Sequence, residues 1–137
     1  MLLISILSGC TSDYSNSKET NDENILVYFA KGEAWAATYT LIDAGESIFD
    51  SLYIQYIGDR VSELKPIEYV LEGNEFKMES QYPQELKSVR SFQVSGEYNK
   101  QLLNNFENKN QEFRLTIKQN GKSENLILRL VSEEGNF

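Results

Sequence analysis

Residues 112–131, EFRLTIKQNGKSENLILRLV, hold the clearest structural statement in this chain. Two alternating apolar runs, 112–118 and 122–131, flank Gln119-Asn120-Gly121. Asn-Gly between such runs is the strongest short hairpin signal, because both central positions of a type I′ turn need positive φ. Counting outward from the turn pairs Leu115 with Leu126 and Phe113 with Leu128 on one face. On the other face Glu112 meets Arg129 and Lys118 meets Ser123, so a single register satisfies core and charge together, and a one-residue slip would undo both.

The same texture extends upstream as runs of Ile, Val, Tyr, Phe and Thr broken by Gly, Asn, Asp and Pro at intervals of about ten residues, the pattern of an all-β domain. A strand over 25–30 leads through Lys31-Gly32 into one over 33–42, where Trp35, Ala37, Tyr39 and Leu41 share a face that should point inward. Asp43-Ala44-Gly45-Glu46 makes a turn. The run 47–57 is apolar on both faces, with Ile48, Leu52, Ile54 and Tyr56 opposed to Phe49, Tyr53 and Ile57, which marks a central strand. After a crossing loop over 58–66, strands 67–72 and 75–81 flank Gly73-Asn74 as a two-residue turn. That count sets Leu71 opposite Phe76 and Tyr69 opposite Met78, with Glu72 facing Glu75 as an unfavourable like-charge pair. Tyr82-Pro83 ends the strand, and 89–98 alternates again with Phe92, Val94 and Gly96 on one face. In 99–110 the helical spacing of Leu102, Leu103 and Phe106 competes with several asparagines, which favour a turn or a single helical turn packed as a lid. About eight strands with no internal repeat predict an antiparallel, immunoglobulin-like sandwich of two sheets.

The first ten residues carry an address. Leu2, Leu3, Ile4, Ile6 and Leu7 form a short apolar run that ends in Leu7-Ser8-Gly9-Cys10, the form of a lipobox. No Lys or Arg precedes the run, which is the one departure from a signal-peptide pattern. The expected organisation is a lipoprotein signal segment over 1–9, a lipidated Cys10 with a polar tether over 10–24, and a β domain over 25–137. The tether has too few apolar groups to offset the entropy of ordering it. Spanning a bilayer takes about 20 apolar residues, and this run is far shorter. Palmitate-type acyl chains on Cys10 would do the anchoring, at about 0.8 kcal/mol per buried methylene. The expected location is the extracytoplasmic face of the cell membrane.

Two short motifs add a resemblance. Phe29, Gly32-Glu33, Trp35 and Tyr39, together with Ile117, Asn120-Gly121-Lys122 and Glu124, resemble small Gram-positive bacterial lipoproteins in which a lipobox and polar tether precede a β-sandwich domain. The resemblance implies a surface-anchored sandwich and no defined activity.

Composition narrows the chemistry. Thirteen basic against 21 acidic residues give a net charge of −8, which repels nucleic acid and otherwise serves solubility. The chain has no histidine, which removes the usual general base, the usual zinc ligand and every Ser-His or Cys-His nucleophile system. Its one cysteine is committed to lipid, so the domain folds without disulfides and without thiol chemistry. No phosphate cradle, calcium loop or other cofactor motif is present in the sequence. A pair of carboxylates acting on cell-wall or other glycans remains as the enzymatic alternative. The aromatic set of eight Tyr, seven Phe and one Trp favours surface binding, since Tyr and Trp offer rigid amphipathic area. Trp35 reads as a core plug between sheets. Tyr53, with Phe49 and Gln55, is the candidate ligand surface, while Lys31, Arg60 and Lys65 read as solvated loop residues. The function expected is a non-enzymatic binding or interaction module, tethered to the membrane and facing a protein or glycan partner.

Overall fold

The computed structural model describes residues 25–60, 63–74, 76–87, 89–99 and 111–131. Cys10, the expected signal segment and tether, and all of the expected turn or lid over 99–110 except Asn99, which ends a strand, lie outside the described residues. Eight strands follow one another: β1 (Ile25–Lys31), β2 (Trp35–Asp43), β3 (Ser47–Tyr56), β4 (Glu68–Gly73), β5 (Phe76–Glu79), β6 (Ser91–Asn99), β7 (Phe113–Gln119) and β8 (Lys122–Leu130). All neighbours run antiparallel in the order β5-β4-β7-β8-β1-β2-β3-β6.

The eight strands make one curled sheet where the sequence reading expected two. The length of β8 is the reason. Its residues up to Leu128 pair with β7, and beyond them Arg129 and Leu130 pair with Phe29 and Tyr28 of β1. A further bond from Val131 N–H to Val27 O at 2.8 Å extends this seam. The curl brings the two halves face to face through aromatic rings. Phe113 of β7 sits edge-on to Tyr28 and Tyr39 at 4.9 and 5.0 Å between centroids, and Tyr69 of β4 meets Phe92 of β6 at 5.4 Å. At the open edges Phe76 of β5 lies 6.2 Å from Tyr98 of β6, whose hydroxyl donates to Met78 Sδ at 3.7 Å.

The final hairpin has the register counted from its turn: Phe113 with Leu128, Leu115 with Leu126, Lys118 with Ser123. Asn120 and Gly121 both take positive φ, 53° and 81°, as a type I′ turn requires. On β2 the residues Trp35, Ala37, Tyr39 and Leu41 are buried as the alternation demands. Strand β3 does lie between two others, β2 and β6, but only one of its apolar faces is covered: Ile48, Leu52 and Ile54 are in the core, and Phe49 and Tyr53 point outward.

The β4–β5 hairpin corrects the sequence count by two residues. Gly73 pairs with Phe76 and Leu71 with Met78, so the turn falls after Gly73 rather than on Gly73-Asn74. Lys77 now stands opposite Glu72, which replaces the like-charge pair with an attractive one. Gly73 is needed in the strand because a Cβ there would lie 2.7 Å from the ring of buried Phe113.

Candidate functional site

The outer face of β3 is built by period-two alternation, which sends Phe49, Ser51, Tyr53 and Gln55 away from the core. Pairing across the sheet arranges two apolar rows on that face. Ile25, Ile42 and Phe49 stand in one, and Phe29, Thr38 and Tyr53 in the other, with Val27, Thr40 and Ser51 between. Ile25, Phe29, Ile42, Phe49 and Tyr53 are each more than a third exposed. A patch of this kind on one sheet face is unusual for surface that only meets water.

Of the three residues expected to form a ligand surface, Tyr53 and Gln55 are joined directly. The Tyr53 hydroxyl donates to Gln55 Oε1 at 2.6 Å, and Gln55 Nε2 donates to the carbonyls of Val89 at 2.7 Å and Tyr56 at 3.1 Å. Phe49 shares the face but lies four residues away along the strand, roughly 13 Å at the usual rise. It belongs to the other apolar row.

Beyond Gln55 the face runs into a depression of about 640 Å³ bounded by Gln55, Tyr56, Ile57, Arg60, Val89 and Arg90. Arg90 organises it. Its φ is +62°, a left-handed conformation that a non-glycine residue adopts only when its surroundings hold it there. The hold is visible: Arg90 N–H donates to Lys87 O at 2.7 Å, and Arg90 O accepts from Tyr56 N–H at 3.0 Å. Its guanidinium donates to the carbonyls of Asp59 and Arg60 at 3.1 and 2.6 Å and stacks 5.7 Å from the centre of the Tyr56 ring. Tyr56 in turn packs edge-on against Trp35 at 5.2 Å, which ties the depression to the core plug. Arg90 escaped the sequence reading because nothing in its neighbours signals a left-handed turn, and Arg60, read there as a solvated loop residue, lines the same depression.

Inside the curl, alternation places Asp50 on the same face as Ile48, Leu52 and Ile54, and it is 4% exposed. Tyr39 Oη donates to its Oδ2 at 2.7 Å. Burial pushes the Asp50 carboxyl above its ordinary value, against hydrogen bonds from the Tyr39 hydroxyl and the Gly96 backbone that pull it down. Tyr39 is driven far up by burial and then by the Asp50 charge, and Tyr69 and Tyr98 are raised by the same two causes. Tyr39 therefore stays a hydrogen-bond donor throughout the ordinary pH range. Nearby, the Tyr28 hydroxyl is fully buried with no hydrogen-bond partner among the described residues.

The enzymatic alternative requires two carboxylates facing one cleft. Glu72 and Glu112 do line a second depression of about 510 Å³, beside Gln111 and Phe113. Both have basic neighbours: Glu112 is ion-paired with Arg129 at 2.9 Å, and the registers set Glu72 between Lys77 and Arg114. Among the described residues no three Asp, Glu, Cys or His side chains gather as a metal site, and no helix is long and apolar enough to cross a membrane. No family model, curated protein or solved structure matches the chain.

Proposed function

We propose that this chain is a lipoprotein, anchored by acyl chains on Cys10 to the extracytoplasmic face of a cell membrane, whose β domain is a non-enzymatic binding module for a protein or glycan partner. The observation that carries the reading is the outer sheet face, where five large apolar side chains stand exposed beside the hydrogen-bonded pair Tyr53–Gln55. Rigid aromatic groups with a fixed polar neighbour are the elements of a recognition surface, because little side-chain entropy is lost when a partner covers them. The ring contacts between the two halves support describing the domain as sandwich-like, in keeping with the lipoprotein resemblance. A polar tether over 11–24 would let that face reach away from the bilayer, about 45 Å if fully extended.

Two measurements on cells producing the full chain test this. Fractionation should find the protein with the membrane and the Cys10→Ser variant released; retention of that variant would overturn the anchor. Photo-crosslinking from position 51, between the two apolar rows, should give discrete adducts that Phe49→Ser and Tyr53→Ser each abolish. Adducts unchanged in both variants would overturn the binding face.

A further inference from the structure

We infer that the depression at the end of β3 is a binding site for a small organic oxyanion, its acid group held between Arg60 and Arg90 and its apolar or planar body lying against Tyr56, Ile57 and Val89. This deepens the reading of the outer face as a recognition surface and rests on it for context, since Gln55 is common to both. Three observations carry it. The first is charge: in a chain whose acidic residues outnumber basic ones 21 to 13, two arginines line one depression. Two like charges at one depression repel each other, and an anion placed between them relieves that repulsion.

The second is donor geometry. A guanidinium has five N–H donors in a fixed fork. Arg90 spends two of its nitrogens on the carbonyls of Asp59 and Arg60 and rests on the Tyr56 ring, so its plane is fixed while the remaining donors have no protein acceptor among the described residues. Arg60 lines the same depression. A pre-oriented arginine with a second arginine at the same depression favours forked recognition of a carboxylate or phosphate. The third is shape. The volume of about 640 Å³ suits a small molecule, and Ile57 and Val89, the latter 64% exposed, give it apolar walls. The left-handed Arg90 backbone is strain held in place by hydrogen bonds, as is common where a site must be preformed.

The test is an NMR titration of the isotopically labelled full-length chain with benzoate, phenyl phosphate and benzamide, the last an uncharged analogue of the first. Saturable shifts are expected at Ile57, Gly58 and Val89 with both anions, and affinity for benzamide at least about tenfold lower. The tighter of the two anions identifies the head group. Arg60→Gln should weaken both anions by about tenfold, with Arg60→Lys recovering part of the loss, and Val89→Ser should weaken both as well. Equal binding of benzamide and benzoate, no saturation with either anion, or unchanged anion affinity in Arg60→Gln overturns the site. Phe49→Ser lies outside the depression, so loss of crosslinking in that variant with benzoate binding intact, or the reverse, separates failure of the outer face from failure of the oxyanion site.

Discussion

Removing the Tyr39 hydroxyl tests the physics of the interior most directly. In Tyr39→Phe the Asp50 carboxylate, 4% exposed, loses a donor at 2.7 Å. Hydrogen bonds to a buried charge contribute about 1.5–3 kcal/mol, so the variant should lose about 2 kcal/mol at neutral pH. For a domain of roughly 100 residues that is about 10 °C in Tm. Asp50→Asn should behave in the opposite way, because its amide can donate to the Tyr39 oxygen and carries no charge to desolvate. The pH dependence follows from the direction of the Asp50 shift. The folded chain holds that proton more tightly than the unfolded chain, whose carboxyl titrates near 3.8. Stability from this group is therefore complete below that value and is lost as pH rises through the folded one, the reverse of a salt-bridged aspartate. Asp50→Asn escapes the loss, so its Tm relative to the parent should climb from pH 3.5 to pH 8. Tyr39→Phe removes an interaction that lowers the folded value and so extends the loss to higher pH. Thermal melts followed by circular dichroism read all of this. A Tm difference between Asp50→Asn and the parent that stays flat with pH, or a cost below about 0.5 kcal/mol for Tyr39→Phe at pH 7, would refute the account of a buried charge held in part by the Tyr39 hydroxyl.

Tyr28→Phe deletes a buried hydroxyl with no partner among the described residues and should leave stability unchanged or raise it by up to about 1 kcal/mol, measured by urea titration. Gly73→Ala drives a Cβ to 2.7 Å from the Phe113 ring, which is locked in the core, and should cost about 1–3 kcal/mol in the same titration. Glu124→Ala strips the acceptor from two successive N–H groups, Glu33 at 2.9 Å and Ala34 at 3.2 Å, and should cost about 1 kcal/mol with faster amide exchange at those two positions. Arg129→Ala breaks an ion pair whose members are 67% and 52% exposed and should cost less than about 0.5 kcal/mol, a difference that vanishes in high salt.

Strand positions and most registers were legible because alternation and turn chemistry are local signals. Asn120-Gly121 admits one turn type, and the count from it holds along the whole β7–β8 ladder. Gly73-Asn74 carries the same dipeptide pattern in weaker form, and there the count slipped by two, since the residue needing to be glycine was set by Phe113, forty positions away. A shift of two keeps every side chain on its face, which is why Leu71 and Met78 are still inward neighbours. The joining of the strands into one sheet was not legible for a related reason. Whether β8 ends at its hairpin partner or continues into a seam with β1 depends on the curl of the sheet, and the run 122–131 reads the same in either case.

Three residues of the two short motifs behind the lipoprotein resemblance, Gly32, Glu33 and Glu124, form one structural device. Gly32-Glu33 and Glu124 are 91 residues apart at their nearest bonded pair, yet the Glu124 carboxylate clasps the backbone of the β1–β2 turn, and a Cβ on Gly32 would run into that carboxylate. These residues explain how the turn is built. The outer face was half legible on the same grounds. Alternation assigns Tyr53, Phe49 and Gln55 to an outer face, because facing is a property of one strand. It says nothing about Arg60 and Arg90, whose meeting depends on two separate loops brought to one end of β3. Gln55 joins the two parts: its amide ties the strand that carries Tyr53 to the loop carbonyl of Val89. Gln55→Ala should therefore disturb Tyr53 and the Val89–Arg90 loop together, which makes it the substitution that tests whether face and depression act as a single surface.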